Sequence, residues 1–137
     1  MAALNVNLVA VLVCSALVFI LGALWYSPLL FAKKWMTLLG KTPEELKQGS
    51  TPIMYVMAFI TGFMSCFVIA FVVNLTKVTN PLDGALVGLM CWTGLTAAPT
   101  YNNQVNFLHQ SAALWAIDSG YNLASFVIAG VVFVLWK

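Results

Sequence analysis

The chain has 137 residues, of which 62% are hydrophobic and only 7% are charged. A water-soluble domain carries about 25% charged residues, so this composition excludes an ordinary soluble globular protein. The net charge of +2 comes from six lysines and four acidic residues, which is too small for a nucleic-acid-binding surface. The sequence therefore predicts a membrane protein with no nucleic-acid partner.

Four long apolar stretches predict four membrane-spanning helices, at about residues 5–28, 52–75, 82–100 and 112–136. Each approaches or exceeds the ~20 residues that a helix needs to cross the hydrocarbon layer. The stretches are continuously apolar and not alternating, which favours helices over the strands of a membrane barrel. We therefore expect a single membrane domain over residues 1–137, with an all-α, integral membrane four-helix bundle.

The segment after the first span predicts a break at the membrane surface. Pro28 cannot donate a backbone hydrogen bond, so it ends or kinks the first span. Residues 29–39 then place Lys33 and Lys34 on one helical face and apolar side chains on the other, which is typical of a short amphipathic helix lying in the interface. The alternative is a straight first helix that continues through Lys34.

Aromatic and basic residues around this break predict contact with the headgroup layer. Trp and Tyr favour the membrane–water interface, and lysine side chains extend beyond it. The predicted interface anchors are Trp25, Tyr26, Lys33, Lys34 and Trp35. Membrane lipids are therefore expected partners.

Helix-capping residues predict where several helices begin or end. Gly40 suits the end of the interfacial helix. Thr42, Pro43 and Glu45 have the spacing of a capping box, which predicts a short helix in the first connection. The pair Asn80–Pro81 predicts the start of the third span.

The lysines predict the orientation in the membrane. The first connection contains Lys33, Lys34, Lys41 and Lys47, the second contains only Lys77, and the third contains none. Because positively charged connections remain in the cytoplasm, we expect the first and third connections to be cytoplasmic and both termini to lie outside.

Polar residues in and before the fourth span are the candidate binding residues. At helical spacing, Asp118, Asn122 and Ser125 share one face, which must meet protein or water because polar side chains are costly in lipid. Asp118 is also the only acidic residue well inside a predicted span. The candidates for a ligand-binding or polar intramembrane site are Asp118, Asn122, His109, Tyr121 and Ser125.

Two roles are open for Asp118. One is functional: a proton or cation site, or a hydrogen-bonding anchor for a lipid headgroup or a quinone. The other is structural: a bond to Asn122, to Ser119 or to a neighbouring helix. His109 has no second metal ligand at helical spacing, so no metal site is expected, although a water-mediated link between His109 and Asp118 is conceivable.

Small residues recur at helical spacing and predict close contacts between helices. They include Gly62 and Cys66 in the second span, and Gly84, Gly88 and Cys91 in the third. Contacts within one bundle and contacts between copies are both open. A homo-oligomer or a larger membrane complex is therefore a candidate assembly.

Motifs for catalysis are absent from the sequence. It contains no G-x-S-x-G, no H-E-x-x-H and no phosphate-binding glycine loop, each of which has a recognisable spacing. We therefore expect a non-enzyme with no catalytic residues and no cofactor.

Several stretches resemble one protein family. The pattern G-x-L-W-Y-S-P-x-x-F at residues 22–31, the run Lys34-Trp35-Met36, the pair Cys91-Trp92 and the run Asp118-Ser119-Gly120-Tyr121-Asn122 are similar to the bacterial family catalogued as domain of unknown function 1761. The resemblance covers nearly the whole chain. It implies a small four-span protein of the bacterial cytoplasmic (inner) membrane, and it implies no particular activity.

Three functions are open at this point. The packing residues and the scarcity of ionisable groups favour a structural or accessory, oligomer-forming membrane subunit. A second candidate is a small transporter or permeation pathway that uses Asp118 and the polar third connection. The third is lipid or quinone binding at the cytoplasmic-side aromatic belt, formed by Trp25, Trp35, Tyr101 and Trp115.

Overall fold

The computed structural model of the chain describes residues 5–137, so the first four residues of the predicted domain lie outside it. The helices are α1 (Leu8–Trp25), α2 (Ala32–Leu39), α3 (Pro43–Gly49), α4 (Pro52–Thr76), α5 (Pro81–Cys91), α6 (Ala98–Tyr101) and α7 (Ala112–Leu135), with π-helical segments at Trp92–Ala97 and Asn102–Phe107. Every regular element within residues 5–137 is helical. Within that range, α1, α4 and α7 are long and apolar enough to cross a membrane. The predicted all-helical fold is thus confirmed, and it is consistent with a membrane protein.

The third predicted span lies in a helical stretch of mixed geometry. α5, a π-helical segment, α6 and a second π-helical segment follow one another without a break over residues 81–107. Pro99 lies within α6 and has no N–H to donate, and a π-helical turn is a common way to absorb such a missing bond. None of these parts is among the three long apolar helices of the described residues, so the fourth crossing stays a prediction.

The end of α1 is built around the missing hydrogen bond of Pro28. α1 ends at Trp25. Pro28 has no N–H to donate to the Leu24 carbonyl, and Ser27 donates to this carbonyl instead. The backbone N–H and the hydroxyl of Ser27 both donate to this oxygen, at 3.1 and 2.7 Å. Because α2 begins only at Ala32, the alternative of one straight helix does not occur.

The predicted helix ends are confirmed at three places. Gly40 ends α2 with a φ of 66°, in the left-handed region that glycine adopts without a steric penalty. At α3, the Glu45 N–H donates to the Thr42 hydroxyl at 3.2 Å, and the Thr42 N–H donates to the Glu45 carboxylate at 2.8 Å. At the start of α5, the Leu82 N–H donates to the Asn80 side chain at 3.0 Å.

Two hydrogen bonds join Asn5 to the end of α4 and Lys137 to the second connection. The Asn74 amide donates to the Asn5 carbonyl at 3.0 Å, and the Lys137 ammonium donates to the Val78 carbonyl at 2.6 Å. We call this the terminal end of the bundle. At the opposite end, which we call the α2 end, α2 packs against the first half of α7.

The buried core lies on the side of the terminal end. It consists of residues from the first part of α1 and the second halves of α4 and α7, namely Ala10, Val11, Cys14, Val18, Cys66, Ile69, Ala70, Val73, Ala129, Phe133 and Val134. Ile69 is 1% exposed, and Val11 and Val73 are fully buried. The core of the terminal half is therefore apolar.

Glycines bring α5 and α7 into direct backbone contact. Gly84 packs on the backbone of Gly130, and Gly88 packs on the backbone of Phe126. A methyl group added to either α5 glycine would overlap a backbone oxygen of α7. Such close approach gives helices packing energy in lipid, where no hydrophobic effect drives them together. We call Gly84, Gly88 and Gly130 the glycine seam.

Candidate binding site

Asp118 connects α7 to the residues that follow α1. Its Oδ1 accepts hydrogen bonds from the Tyr26 hydroxyl at 2.8 Å and from Trp35 Nε1 at 3.0 Å. Its Oδ2 takes part in none of the hydrogen bonds found within residues 5–137, and the side chain is half-buried. Two donors on one carboxylate oxygen tie α2 and the end of α1 to α7. We call Tyr26, Trp35 and Asp118 the Asp118 clamp.

Further bonds from side chains to the backbone of α7 extend the clamp. Trp25 Nε1 donates to the Ile117 carbonyl at 3.0 Å, and the Asn122 amide donates to the Asp118 carbonyl at 3.1 Å. A methyl group on Gly120 would lie 3.3 Å from the Trp25 ring. The indole therefore approaches α7 closely because Gly120 has no side chain.

The Tyr26 hydroxyl is a hydrogen-bond donor at neutral pH. Tyr26 lies just beyond the end of α1 and is half-buried. Burial, and next the hydrogen bond to Asp118, raise the pKa of its phenol above the ordinary value, because both disfavour the phenolate. The proton therefore stays on the tyrosine oxygen.

Aromatic rings from the α1–α2 turn, α2 and α7 form one cluster. The ring centroids are 4.8 Å apart for Trp25 and Phe31, 5.2 Å for Tyr26 and Trp35, and 5.9 Å for Tyr26 and Tyr121. These separations are typical of tilted and edge-to-face pairs. Three of the predicted interface anchors thus pack within the chain. The other two, Lys33 and Lys34, are exposed on α2.

A crevice opens beside this cluster, between α1 and α4. Its outer chamber has a volume of about 440 Å³, within the ~300–1,000 Å³ range of small-molecule sites. Aromatic and small side chains form most of its wall. The lining residues are Phe19, Gly22, Ala23, Tyr26, Tyr55, Ala58 and Tyr121.

A second, smaller pocket of about 180 Å³ lies next to the crevice, and we call it the inner pocket. The two spaces share Ala58 and Tyr121 in their walls, so they adjoin. The inner pocket is the more polar of the two, and its polar lining includes Thr61, Ser65, Asn122 and Ser125. These residues lie near the middle of α4 and of α7, so the inner pocket lies about halfway along the bundle.

Four of the five predicted ligand-binding residues meet at the crevice. Tyr121, Asn122 and Ser125 line it, and Asp118 holds one of its aromatic rings through the clamp. His109 lies apart from them, exposed in the turn before α7 with a φ of 53°. Within residues 5–137, no group of three or more His, Cys, Asp or Glu side chains is arranged to hold a metal ion.

The amide-rich third connection makes its own local contacts. Asn106 donates to the side-chain oxygen of Asn102 at 3.1 Å. The Tyr101 ring packs on Trp115, with centroids 4.9 Å apart. The hydrogen bonds of the described residues include none between this connection and the Asp118 side chain.

The predicted packing residues lie in different settings. Gly84 and Gly88 belong to the glycine seam. Cys66 contacts Cys14 in the core, with 3.8 Å between the two sulfur atoms, and Cys91 is half-buried near the end of α5. Gly62 instead borders the inner pocket.

The α4 wall of the crevice was missed in the sequence analysis. It consists of Tyr55, Ala58, Thr61 and Ser65. A signal was present, because Thr61 and Ser65 are polar residues at i and i+4 within an apolar span and therefore share a helical face. The same reasoning that found the polar face of the fourth span would have identified this second polar face.

Comparison with known proteins identifies a family. The family model described as "Protein of unknown function (DUF1761)" matches residues 9–134. The match includes both stretches that build the Asp118 clamp, and it confirms the resemblance noted from the sequence. No curated protein and no solved structure matches the chain.

Proposed function

The chain belongs to the DUF1761 family of proteins of unknown function, and we propose that it binds a small solute inside the membrane as part of a permeation pathway. The observation that supports this proposal most strongly is the crevice, which lies beside a polar pocket about halfway along the bundle. A further pocket of about 200 Å³ shares Ser65 and Phe126 with the inner pocket and reaches Ile69 of the apolar core. The pockets therefore extend from the crevice past the middle of the bundle.

The position of the polar residues adds a second argument. Polar side chains in the middle of a membrane helix are costly unless they face protein or water. Thr61, Ser65, Asn122 and Ser125 face a shared pocket. Transport sites commonly lie at this depth, so the inner pocket is the part of the crevice where we propose that the solute binds.

The proposal includes a membrane topology. We propose a multi-pass protein of a bacterial cytoplasmic membrane, in which the helical stretch of residues 81–107 contributes the fourth crossing. The lysines of the first connection favour a cytoplasmic α2 end. The terminal end would then lie outside, and the crevice would open to the cytoplasm. The contacts that place Asn5, Lys137 and the second connection at one end support this arrangement.

Flux through reconstituted liposomes tests the proposal. The probes are protons, Na⁺, K⁺, glycerol and methylammonium, each compared between protein-containing and empty liposomes. We expect at least one probe to move faster with the protein. The variant Ala58→Phe, which fills the crevice, should slow that flux, whereas Met57→Phe, on the exposed neighbouring position of the same helix, should leave it unchanged. If liposomes that contain the wild-type protein are no more permeable to any probe than empty liposomes, the proposal is contradicted.

A second candidate is a structural or accessory subunit that forms a homo-oligomer or joins a larger membrane complex. The small residues at helical spacing and the scarcity of ionisable groups support it. The measurement is the mass of the protein in mild detergent, together with the proteins that co-purify from native membranes. A lone bundle without a co-purifying partner would remove this candidate.

Lipid or quinone binding at the aromatic belt has weaker support. Trp25 Nε1 donates to Ile117, Trp35 Nε1 donates to Asp118, and Trp115 Nε1 donates to Thr100. These indole N–H groups are therefore engaged within the chain and are not free to bind a headgroup or a quinone oxygen.

A further inference from the structure

We infer that the solute of the crevice is a small organic ammonium cation. This inference rests on the proposed function and specifies its ligand. Three independent features of the wall favour a positively charged hydrogen-bond donor over a neutral or an anionic solute.

The first feature is the aromatic lining of the outer chamber. Phe19, Tyr26, Tyr55 and Tyr121 contribute four rings from α1, the turn after it, α4 and α7. Aromatic rings attract ammonium groups through their negative faces, and clustered rings are a recurring way to bind organic cations. A chamber of about 440 Å³ has room for an ammonium group with an apolar substituent.

The second feature is the direction of the hydrogen bonds around the inner pocket. The hydroxyl groups of its wall donate their protons to carbonyl groups of the helices. The bonds run from Thr61 to Met57, from Ser65 to Thr61, from Tyr121 to Val18 and from Ser125 to Tyr121. These hydroxyl oxygens are therefore available to a ligand only as hydrogen-bond acceptors. An ammonium N–H is a suitable donor for them.

Asn122 extends this pattern. Its amide nitrogen donates to the Asp118 carbonyl at 3.1 Å. Its side-chain oxygen takes part in no hydrogen bond within residues 5–137, so it is a further acceptor on the wall of the pocket. An anionic solute would meet these oxygens without a matching donor, and such a mismatch is unfavourable in a partly desolvated site.

The third feature is the charge near the crevice. Asp118 lies directly behind the wall, because the Tyr26 hydroxyl that donates to its Oδ1 belongs to a lining residue. No lysine or histidine is among the residues that line the outer chamber or the inner pocket. The charge directly behind the wall, that of Asp118, therefore favours a cation.

The test is binding to the full-length protein in lipid nanodiscs, followed by tryptophan fluorescence. The probes are benzylammonium, benzyl alcohol and benzoate, which share the ring and differ in charge. We expect saturable binding of benzylammonium, binding of benzyl alcohol that is about tenfold weaker, and no saturable binding of benzoate, because charge separates the three probes.

Two variants and one control test whether binding occurs in the crevice and whether it depends on the charge of Asp118. Asp118→Asn keeps a carbonyl oxygen in the clamp and removes the charge, so it should weaken benzylammonium binding severalfold and leave benzyl alcohol unchanged. Ala58→Phe should abolish binding of both, while Met57→Phe should match the wild type. Circular dichroism of each variant checks that the helices remain folded.

The outcomes separate the two proposals. Benzyl alcohol or benzoate bound as tightly as benzylammonium, or an unchanged benzylammonium affinity in Asp118→Asn, would overturn the cation assignment while leaving solute binding in place. If none of the three probes binds the wild-type protein, the cation assignment is wrong. If the liposomes also show no flux of any solute, the proposed function is wrong as well.

Discussion

The α5–α7 contact and the α1–α4 contact are both lined by small residues, but they differ in how closely the helices approach. In the glycine seam, Gly84 and Gly88 meet the backbone of α7 directly. Between α1 and α4, Gly22, Ala23 and Ala58 instead border a chamber of about 440 Å³. The same kind of residue is thus found at a closed contact and at an open one.

The residues that face these glycines explain this difference. Across the seam from Gly84 lies another glycine, Gly130, so two backbones meet. Gly22 instead faces Tyr121 of α7, whose hydroxyl would be 3.2 Å from a methyl group on Gly22. A tyrosine ring, and not a helix backbone, therefore occupies the space beside Gly22. Small residues permit close packing, and their partners decide whether it occurs.

The largest expected effect is that of Gly88→Ala in the seam. The added methyl group would overlap the Phe126 backbone, and overpacking of this kind costs about 3 kcal/mol when the backbone itself must move. We expect the free energy of unfolding, measured by SDS titration in mixed micelles, to fall by about this amount.

Gly94→Ala is the matched control for this prediction. An added methyl group at Gly94 has no neighbour within 4 Å, although the residue belongs to the same helical stretch. It should therefore leave the stability close to that of the wild type. Equal losses in Gly88→Ala and Gly94→Ala would show that the seam is not a close contact.

An intermediate effect is expected at the Asp118 clamp. Asp118→Ala leaves the Tyr26 hydroxyl and Trp35 Nε1 without their acceptor, at a cost of about 1–3 kcal/mol in the free energy of unfolding. Asp118→Asn keeps a carbonyl oxygen that accepts from both donors and should lose less. The measurement is the same titration, with tryptophan emission as the readout. An Asp118→Ala variant as stable as the wild type would mean that the clamp does not hold α2 in place.

The smallest effect is expected for Gly62→Ala beside the inner pocket. The nearest atom to its added methyl group would be Val18 Cγ1 at 3.9 Å, an ordinary contact. Alanine is also the better helix former by about 1 kcal/mol, so we expect no loss of stability and a gain of at most this size. A loss as large as that of Gly88→Ala would remove the distinction between the seam and the crevice.

The local features of the fold were predictable because they depend on neighbouring residues in the sequence. The break after α1 follows from Pro28, and the capping box of α3 follows from Thr42 and Glu45. The widened geometry around Pro99 was not predicted, because a proline in a membrane helix is accommodated by a kink, a π-helical turn or the end of the helix. Which of these occurs is not set by the residues next to the proline.

The candidate site was only partly predictable for a related reason. The polar face of α7 was readable from the spacing of Asp118, Asn122 and Ser125. The identity of the donors to Asp118 was not, since Tyr26 and Trp35 are distant in sequence and also fit the headgroup layer. Whether a small residue such as Gly62 borders a closed contact or a cavity depends on the side chain across from it, which only the three-dimensional structure shows.

The most direct test of the account is water access to the crevice in native membranes. A charged, membrane-impermeant methanethiosulfonate reacts with the thiolate form of cysteine, which requires water. Thr61 and Ile60 are both exposed on α4, but only Thr61 lines the inner pocket, so Thr61→Cys places a thiol in the pocket and Ile60→Cys places one beside it. In inside-out vesicles, we predict that Thr61→Cys is labelled above the background of the parent protein and that Ile60→Cys stays at background. In the double variant that carries Ala58→Phe as well as Thr61→Cys, the labelling should be suppressed. A Thr61→Cys variant that is no more reactive than Ile60→Cys would contradict the account.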